Sequence, residues 1–446
     1  YLNIPFNLEN MLLLKNKIIK KKITIAIIGI GYVGLPLCLR FLKKGFKVCG
    51  IDKNKKKIEL IKKGKSYIAN IKDREIKNAI SLGFKATNDF SVINNANVII
   101  VCVPTPLNKN KTPNMSYISE TVNEIKNYIK KEQLIILEST IYPGATEEFF
   151  LPILHKKKLK PGKDIFLAYS PEREDPGNKN FTIVKGNIPK IISGSSPNCL
   201  ELTKTLYSSI TKIVKVSSIK TAEFTKLLEN VYRSINIGFV NEMKLIANKM
   251  GINIHESIEA AKTKPFGFHA FYPGPGLGGH CIPIDPFILT WKAKKFGLMT
   301  RFIELSAQIN DSMPRYAIDV LVKALSKSKK KLNNSKILVL GVSYKRNSDD
   351  MRESPSIRII SILKKFNCKI FFSDPFFKNK LKLKNLEQKI PAKGIVLNAK
   401  NLKKFDASIL VTDHDNFNYN LIEKYSKIIV DCRNRFKKKL NKIYIA

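Results

Sequence analysis

Short apolar, β-branched runs alternate with amphipathic stretches of helical length over the first two hundred residues of the chain. The runs predict buried strands, and residues 33–44 have the apolar spacing of a helix. The predicted strands are residues 23–28, 47–51, 96–103, 134–138 and 165–168. Because strand–helix alternation builds parallel sheets with right-handed crossovers, this segment predicts a parallel α/β sheet.

The middle of the chain has a different pattern. Residues 217–250 contain no Gly or Pro except Gly238, and apolar residues recur at helical spacing. These are Phe224, Leu227, Leu228, Val231, Ile235, Phe239, Met243 and Ile246. The predicted helix is much longer than the usual length of about 12 residues. Because such long helices often pack against a partner, we expect an oligomer interface here. A Pro/Gly-rich loop over residues 265–286 and a second long helix near residues 300–327 follow.

Strand–helix alternation returns in the last third of the chain. Apolar runs at residues 336–340, 369–373, 407–412 and 427–430 predict a second open sheet. The predicted fold class is therefore α/β, with two doubly wound domains joined by a helical segment. The predicted domains are residues 21–212, 213–330 and 331–446, with a lysine-rich joint at 327–331 and an N-terminal extension, residues 1–20, without expected chemistry.

Composition is that of a globular protein, but the charge is not. The 446 residues are 44% hydrophobic and 26% charged, which excludes a mainly disordered chain, yet the net charge is +43. Such an excess can indicate nucleic-acid binding, attraction of anionic substrates, or drift towards AT-rich codons. The lysines are spread over helix faces and loops, which favours drift, and we predict no nucleic-acid partner.

The cysteine, histidine and hydropathy patterns further limit the class of protein to which the chain can belong. Seven cysteines without a C-x-x-C pair argue against a disulfide framework and for a reducing, cytoplasmic compartment. Five scattered histidines without paired spacing predict no metal site. No apolar run reaches the ~18 residues of a membrane span, so no membrane association is expected. Residue 1 is Tyr, and Met11 is a candidate initiator.

A glycine-rich turn follows the first predicted strand and opens a helix. Its sequence is Gly29-Ile-Gly31-Tyr32-Val33-Gly34, and Asp52 follows the next strand, 18 residues after the last glycine. In this context the glycines allow a tight turn, close approach of a pyrophosphate and close helix–strand packing. Asp52 would bind the ribose hydroxyls of NAD. Asp52 would also repel the 2′-phosphate of NADP. Because lysines follow at 53 and 55–57, NADP is disfavoured but not excluded.

Two further polar loops come directly after predicted strands. Thr105 lies in Val103-Pro-Thr105-Pro, and Thr140 ends Glu138-Ser-Thr140. Strand ends of this kind line the ligand crevice of open α/β sheets, although each loop is equally well a helix cap or a turn.

The most informative stretch is Gly274-Pro-Gly276-Leu-Gly278-Gly279-His280-Cys281-Ile-Pro-Ile-Asp285. Glycines let backbone N–H groups converge on an anion, and a thiol beside imidazole is a candidate nucleophile. NAD accepts a hydride, whereas a thiol traps an aldehyde as a thiohemiacetal that can become a thioester and then a carboxylate. The combination indicates oxidation of an alcohol or aldehyde to an acid.

Seven motifs in this order resemble the UDP-sugar dehydrogenase family, from about residue 22 to about residue 435. They are Gly29–Gly34 with Asp52, Val103-Pro-Thr-Pro, Glu138-Ser-Thr140, Ser170-Pro-Glu172-Arg173, the segment 222–230, the Cys281 loop, and the segment 344–354. The resemblance implies oxidation of C6 of a nucleotide sugar with two NAD⁺, two Rossmann-like domains, a dimerising helical segment and an active site in the cleft.

The resemblance also implies a role for individual residues. Cys281 matches the catalytic nucleophile, and Lys226 and Asn230 match the pair that stabilises the oxyanion and positions a water. Asp285 matches the carboxylate that assists proton transfer, and Thr140 and Glu172 match residues of proton transfer and thioester hydrolysis. The division of base duty among Lys226, Asp285 and Glu172 stays open. Further expected cofactor contacts are Tyr32, Val33, Thr105, Thr140 and Arg352. Further expected substrate contacts are Arg173, Tyr272, Gly276, Gly278 and Lys345, beside Glu172, Lys226 and Asn230.

Within the family, residues 271–287 and 170–178 are similar to UDP-N-acetylglucosamine 6-dehydrogenases. The implied product is a uronic acid precursor of surface polysaccharide, made by a homodimer or higher homo-oligomer. Ile288, His269 and Ala270 depart from the pattern, and UDP-glucose and UDP-N-acetylmannosamine remain alternative substrates. Two other interpretations are a two-domain NAD dehydrogenase of 6-phosphogluconate or hydroxyacyl type, and a basic nucleic-acid-binding protein on a decayed dehydrogenase scaffold.

Overall fold

A computed structural model describes residues 6–68, 71–174, 187–377, 392–436 and 440–446. The chain divides into two compact units. Unit 1 comprises Tyr1–Glu229 with Phe287–Gly297, and unit 2 comprises Asn230–Pro286 with Leu298–Ala446. Within the described ranges, no helix is both long and apolar enough to cross a membrane.

Unit 1 is built on a six-stranded parallel sheet. Its strands are β1 (Thr24–Ile28), β2 (Lys47–Ile51), β3 (Lys85–Thr87), β4 (Val98–Val101), β5 (Leu134–Leu137) and β6 (Phe166–Tyr169). The order β3-β2-β1-β4-β5-β6 is that of a doubly wound sheet. Successive strands are added on one side of β1 up to β3 and on its other side from β4 onward, so the strand order reverses between β1 and β4. A separate parallel pair joins β7 (Lys190–Ile192) to β8 (Ile213–Lys215).

Helices cover both faces of this sheet because the central strands are apolar on both sides. All four residues of β4, β5 and β6 are buried. The helices are α1 (Phe6–Ile19), α2 (Gly34–Lys43), α3 (Lys55–Lys62), α4 (Asp73–Ser81), α5 (Ser116–Ile125), α6 (Ala145–Lys156) and α7 (Pro197–Ser208), with a 3₁₀ segment at Phe90–Asn95. Two more helices, α8 (Ile219–Lys249) and α10 (Asp285–Lys294), begin in one unit and end in the other.

Helix α1 is an element that the sequence interpretation did not anticipate, since residues 1–20 were expected only as an extension. Met11, Leu14 and Ile18 are buried against the core of unit 1. The Lys15 ammonium also pairs with Glu201 of α7 at 2.8 Å. The i, i+3, i+7 spacing of the three apolar side chains is the signal that would have predicted this helix.

Unit 2 contains the second parallel sheet. Its strands are β9 (Lys336–Leu340), β10 (Lys369–Ser373), β11 (Lys393–Gly394), β12 (Ala407–Leu410), β13 (Ile429–Asp431) and β14 (Ile443–Ile445), in the order β11-β10-β9-β12-β13-β14. Its helices are α9 (Ile254–Ala261), α11 (Arg301–Lys327), α12 (Pro355–Lys365), α13 (Ala399–Leu402) and α14 (Tyr419–Tyr425). The predicted α/β class with two doubly wound sheets is confirmed.

Candidate active site

The glycine-rich turn between β1 and α2 has the geometry of a dinucleotide site. Gly29 has a φ of +89°, and a Cβ at Gly34 would lie 2.2 Å from the carbonyl oxygen of Gly29. A Cβ at Gly31 would meet no atom within 4 Å, so the protein leaves open space beside the backbone there. The first N–H groups of α2 have no side-chain cap. The turn therefore fits a pyrophosphate, which the helix N-terminus would stabilise.

Asp52 follows β2, as the sequence predicted, and its carboxylate is already engaged. The backbone N–H of Asn54 donates to one oxygen at 2.9 Å, and Lys57 donates to the other at 2.8 Å. These bonds fix the direction of the carboxylate, which suits acceptance of hydrogen bonds from a ribose. They also place one lysine of the 55–57 run beside the carboxylate.

The loops after β4 and β5 are tied together at the same edge of the sheet. Ser139 Oγ donates to the carbonyl of Val103 at 2.7 Å, so the Val103–Thr105 loop and the Glu138–Thr140 loop hold one another. Thr105 is buried and Thr140 is half-buried. Because all six strands are parallel, these threonines share the carboxyl edge with the glycine turn and Asp52.

Glu172, three residues after β6, belongs to a buried charge cluster in unit 1. Lys190 Nζ lies 3.2 Å from Glu172 Oε2 and 2.8 Å from Glu138 Oε2, and Tyr207 donates its hydroxyl to Glu138. Burial alone would raise the pKa of Glu172. Lys190, the backbone N–H of Glu174 and Lys226 outweigh burial, so the pKa is lowered and the carboxylate is ionised at neutral pH.

Arg173 is occupied by protein groups. Its guanidinium donates to both oxygens of Glu229 on α8, at 2.6 and 3.3 Å, and to the carbonyl of Pro189 at 2.8 Å. Such a bidentate pair orients the loop that carries Glu172. The geometry therefore gives Arg173 a role in holding this loop, beside its expected contact with substrate.

Helix α8 carries two buried charged residues one turn apart at its start. Lys226 is 7% exposed, and its charge acts on Glu172. Glu223 is fully buried and accepts hydrogen bonds from the backbone N–H groups of Gly144 and Thr146 and from the Thr146 hydroxyl. Glu223 thus caps α6 from another element. The sequence analysis did not single it out, because a glutamate in a helix pattern is usually solvated.

Unit 2 brings the cysteine loop and the polar part of α8 together. The backbone N–H of Asp285 donates to the Cys281 carbonyl at 2.8 Å, which closes a single turn before α10. Asn230 Nδ2 donates to Asp285 Oδ2 at 2.5 Å, and both side chains are buried. Cys281 is half-buried. A half-buried thiol, a buried carboxylate and a buried amide that donates to this carboxylate are suited to nucleophilic catalysis with proton transfer.

The paired glycines of this loop are explained by close packing. A Cβ at Gly278 would lie 2.6 Å from Tyr344 Cβ, and one at Gly279 would lie 2.7 Å from the Tyr344 ring. Only glycine lets the loop approach the 344–354 segment so closely. The Gly279 N–H also donates to the carbonyl of Arg352 at 2.9 Å. The loop that carries Lys345 and Arg352 is therefore anchored next to the cysteine.

His280 does not supply positive charge to the neighbouring thiol. Burial, with a further contribution from Arg352, lowers the pKa of His280 to about 4, so the imidazole is neutral at pH 7. The sequence interpretation had grouped the imidazole with the activating features of Cys281. Its charge cannot act in that way at neutral pH.

The remaining predicted residues have partners within unit 2. The Arg352 guanidinium pairs with Asp350 at 2.6 Å, and the Tyr272 hydroxyl donates to Glu259 at 2.5 Å. Gly276 has a φ of +119°, which a residue with a side chain rarely adopts. Tyr272 is 45% exposed, so its ring remains accessible.

Comparison with known proteins identifies the family. Residues 23–211, 220–312 and 338–438 match the NAD binding, central and UDP binding domains of the UDP-glucose/GDP-mannose dehydrogenase family. The chain is 38% identical over 359 residues to UDP-N-acetyl-D-glucosamine 6-dehydrogenase of Pseudomonas aeruginosa, covering 80% of this chain and 83% of the relative. It is 35% identical over 423 residues to UDP-N-acetyl-D-mannosamine dehydrogenase of Pyrococcus horikoshii, covering 93% and 96%.

Solved structures agree with these matches. The structure of UDP-D-ManNAc dehydrogenase from Pyrococcus horikoshii superimposes with a TM-score of 0.83 at 32% identity, covering 94% of this chain and 96% of that one. This agreement sets aside the alternative of an unrelated two-domain dehydrogenase. Together with the glycine turn, these matches show that the chain belongs to the UDP-glucose/GDP-mannose dehydrogenase family and is an NAD-dependent UDP-sugar dehydrogenase.

Proposed function

We propose that the protein oxidises C6 of UDP-N-acetylglucosamine from alcohol to carboxylate, with Cys281 as the nucleophile. The observation that carries the proposal is the buried Asn230–Asp285 pair attached to the turn that presents Cys281. A reaction that passes through a covalent intermediate uses a nucleophile with polar groups held beside it. A single hydride transfer does not require such a nucleophile.

The proposed reaction has three stages. NAD⁺, when bound, accepts the hydride in each of two oxidations. Removal of a hydride and a proton from the C6 alcohol gives an aldehyde, to which the Cys281 sulfur adds as a thiohemiacetal. Loss of a second hydride and proton gives a thioester. Water then attacks the acyl carbon, the C–S bond breaks, and the carboxylate and the free thiol are released.

Each residue in the proposal has a role that suits its surroundings. Lys226 and Asn230 stabilise the oxyanion and position the water, since an ammonium and an amide both donate hydrogen bonds to negative oxygen. Asp285, held by Asn230, and Glu172, ionised at neutral pH, accept protons. Thr140 assists proton transfer at the sheet edge. In this assignment Glu172 accepts a proton during hydrolysis of the thioester. Asp285 together with Lys226 removes the proton of the C6 alcohol.

The remaining predicted contacts are assigned to the ligands. The residues proposed to hold NAD are Gly29, Gly31, Tyr32, Val33, Gly34, Asp52, Thr105, Thr140 and Arg352. The residues proposed to hold the UDP-sugar are Arg173, Tyr272, Gly276, Gly278 and Lys345, with Glu172, Lys226 and Asn230 near its reacting carbon. The glycine turn and the oriented Asp52 carboxylate support the cofactor half of this assignment.

A second substrate candidate is UDP-N-acetylmannosamine. It is favoured by the 35% identity over 93% of this chain to the mannosamine dehydrogenase of Pyrococcus horikoshii. The two sugars differ only in the configuration at C2. Initial rates with both sugars, and with UDP-glucose, separate the candidates. We expect kcat/KM for UDP-N-acetylglucosamine to exceed the other values by at least about tenfold, a difference of about 1.4 kcal/mol. A reversed order would contradict the choice of sugar and leave the reaction intact.

We also propose a homodimer formed along α8. Phe224, Leu228, Tyr232, Phe239 and Ile246 repeat at helical spacing and are between 44% and 52% exposed. A stripe of large apolar side chains on a long helix is typical of an interface. UDP-sugar, NAD and a second copy are the proposed partners; nucleic acid is not, since the lysine excess is spread along the chain.

A further inference from the structure

Lys190 is a buried lysine at the start of a strand, which is an unusual place for an ammonium group. It is 3% exposed and opens β7, whose three residues are all buried. Its Nζ lies between two carboxylates, 2.8 Å from Glu138 and 3.2 Å from Glu172, and 5.3 Å from the centre of the Tyr207 ring. A lysine buried this deeply requires compensating charges, and these two carboxylates provide them.

The contacts of Lys190 join three segments of unit 1. Glu138 directly follows β5, Glu172 lies just after β6, and Lys190 opens β7. The neighbouring positions are tied in the same way, since Arg173 donates to the carbonyl of Pro189 at 2.8 Å. Two consecutive residues after β6 are thus fastened to two consecutive residues before and at the start of β7. This double tie fixes the direction in which the Glu172 side chain leaves the backbone.

We propose that Lys190 is a positioning residue that holds Glu172 in place and in its ionised form, so that Glu172 accepts a proton from the water attacking the Cys281 thioester. The inference rests on the proposed function, in which Glu172 serves this hydrolysis. In that step the water oxygen bonds to the acyl carbon, and the C–S bond breaks. One proton of the water passes to Glu172, and the sulfur recovers a proton as thiol. No oxidant or reductant is needed.

The charges around Glu172 determine the sign of the expected change. The groups that act on it are Lys190 from β7, Glu138 after β5, Lys226 from α8, Tyr207 from α7 and Cys102 after β4. The N–H groups of residues 173 and 174 also donate to its Oε1, at 2.7 and 2.6 Å. Lys190 makes the direct ion pair. Its removal leaves Glu172 beside Glu138 without the ammonium between them, so the pKa of Glu172 rises.

Removal of Glu138 has the opposite effect. With an amide at position 138, Lys190 no longer divides its charge between two carboxylates, and the repulsion of Glu172 by Glu138 disappears. The pKa of Glu172 then falls. Opposite shifts from two substitutions in one buried cluster are a signature that general damage to the structure would not produce.

The test follows NADH formation before and during steady state over about pH 3.5 to pH 9, a range that includes the ordinary pKa of a glutamate. It uses UDP-N-acetylglucosamine, or UDP-N-acetylmannosamine if the wild type prefers it. The enzymes are the wild type, Lys190→Met, Lys190→Arg and Glu138→Gln. For Lys190→Met we expect a fast burst of two NADH per active site, then slow turnover, because the thioester accumulates. We also expect the acid limb of kcat to move up by at least about one pH unit.

The other variants complete the comparison. Lys190→Arg restores most of the turnover because it keeps a cation, and Glu138→Gln moves the acid limb down. If Lys190→Met proves poorly folded, the double variant Lys190→Met with Glu138→Gln removes both charges of the buried pair, and its acid limb is compared with that of Glu138→Gln. An unchanged acid limb together with no burst in the folded lysine variant overturns the inference. A wild type that forms no NADH from any UDP-sugar overturns the proposed function and this inference with it.

Discussion

Cys281 differs from the six other cysteines by the loop that carries it and not by its exposure, since Cys49, Cys102 and Cys368 are also half-buried. Cys38, Cys199 and Cys432 are buried, and burial raises the pKa of Cys432 to about 12, so these thiols are packed as small apolar groups. Cys281 is half-buried and sits on a turn closed by Asp285. The sequence motif alone predicted this cysteine as the nucleophile, because glycines, histidine and aspartate surround it at fixed spacing.

Replacement of Cys281 by Ser is expected to lower kcat for complete oxidation by at least about a thousandfold, since a serine hydroxyl is a far weaker nucleophile at pH 7. NADH formation with the UDP-sugar measures the loss. The matched control is Cys368→Ser, which keeps a donor for the Leu332 carbonyl that Cys368 contacts and should retain near-normal turnover. Near-normal turnover of Cys281→Ser would contradict the covalent mechanism.

Lys244 is a residue that the sequence could not have distinguished. It is one of 79 lysines and arginines, yet it is fully buried on α8, and its Nζ has no hydrogen-bond partner among the described residues. Burial lowers its pKa from 10.5 to about 8. The same abundance of lysine concealed Lys190. Which lysine is buried depends on tertiary packing, which a local pattern does not contain.

The lowered pKa of Lys244 predicts a pH-dependent stability. The folded state holds the proton less tightly than the unfolded state. The destabilisation is therefore complete below about pH 8 and disappears as the pH approaches 10.5. Lys244→Met should raise the thermal midpoint at pH 7, by an amount that corresponds to at most about 3 kcal/mol in the free energy of unfolding. The rise in the thermal midpoint should be smaller at pH 9.5. Lys323→Met, at an exposed position of α11, is the control. An equal effect of Lys244→Met at both pH values would be inconsistent with this explanation.

The long elements were predictable from the sequence and the short ones were not. The predicted helices at 217–250 and near 300–327 are confirmed as α8 and α11, and the strong apolar runs are confirmed as strands with ends displaced by at most two residues. Five strands of two or three residues were missed, namely β3, β7, β8, β11 and β14, whereas β13, also of three residues, was predicted from the apolar run at 427–430. A strand of this length contains too few residues for a periodic pattern, and it forms because its neighbours supply the hydrogen bonds.

The glycine turn between β1 and α2 allows two substitutions with separable effects. Gly34→Ala would place a Cβ 2.2 Å from a carbonyl oxygen, so it should destabilise the fold. Gly31→Ala would place its Cβ in open space, so the fold should be retained while the methyl group obstructs the pyrophosphate. Thermal unfolding without ligand and NAD⁺ titration measure the two effects. Unaltered NAD⁺ affinity in Gly31→Ala would show that the cofactor does not approach this turn.

At the scale of the whole molecule, the sequence predicted an oligomer interface on the long helix but not which face of that helix would form it. The apolar positions of α8 divide into buried residues such as Leu227 and Val231 and exposed residues such as Leu228 and Phe239. The hydrophobic pattern alone does not make this division, because both sets are apolar. The net charge of +43 is also a property of the whole chain, and it stays without an assigned function.

The double variant Leu228→Glu with Phe239→Glu is expected to shift the protein to a smaller species, because two charges per chain would enter the apolar stripe. Sedimentation velocity measures the change in mass. Leu82→Glu replaces an equally exposed leucine away from α8 and should leave the mass unchanged. A double variant with the mass of the wild type would place the interface elsewhere.

The most direct test of the central claim is the yield of NADH per UDP-N-acetylglucosamine at complete conversion, with NAD⁺ in excess. Two oxidations at one carbon, with a thioester between them, predict two NADH per sugar and a product that carries a new carboxylate. One NADH per sugar and an aldehyde product would contradict the claim that Cys281 carries the substrate through to the acid.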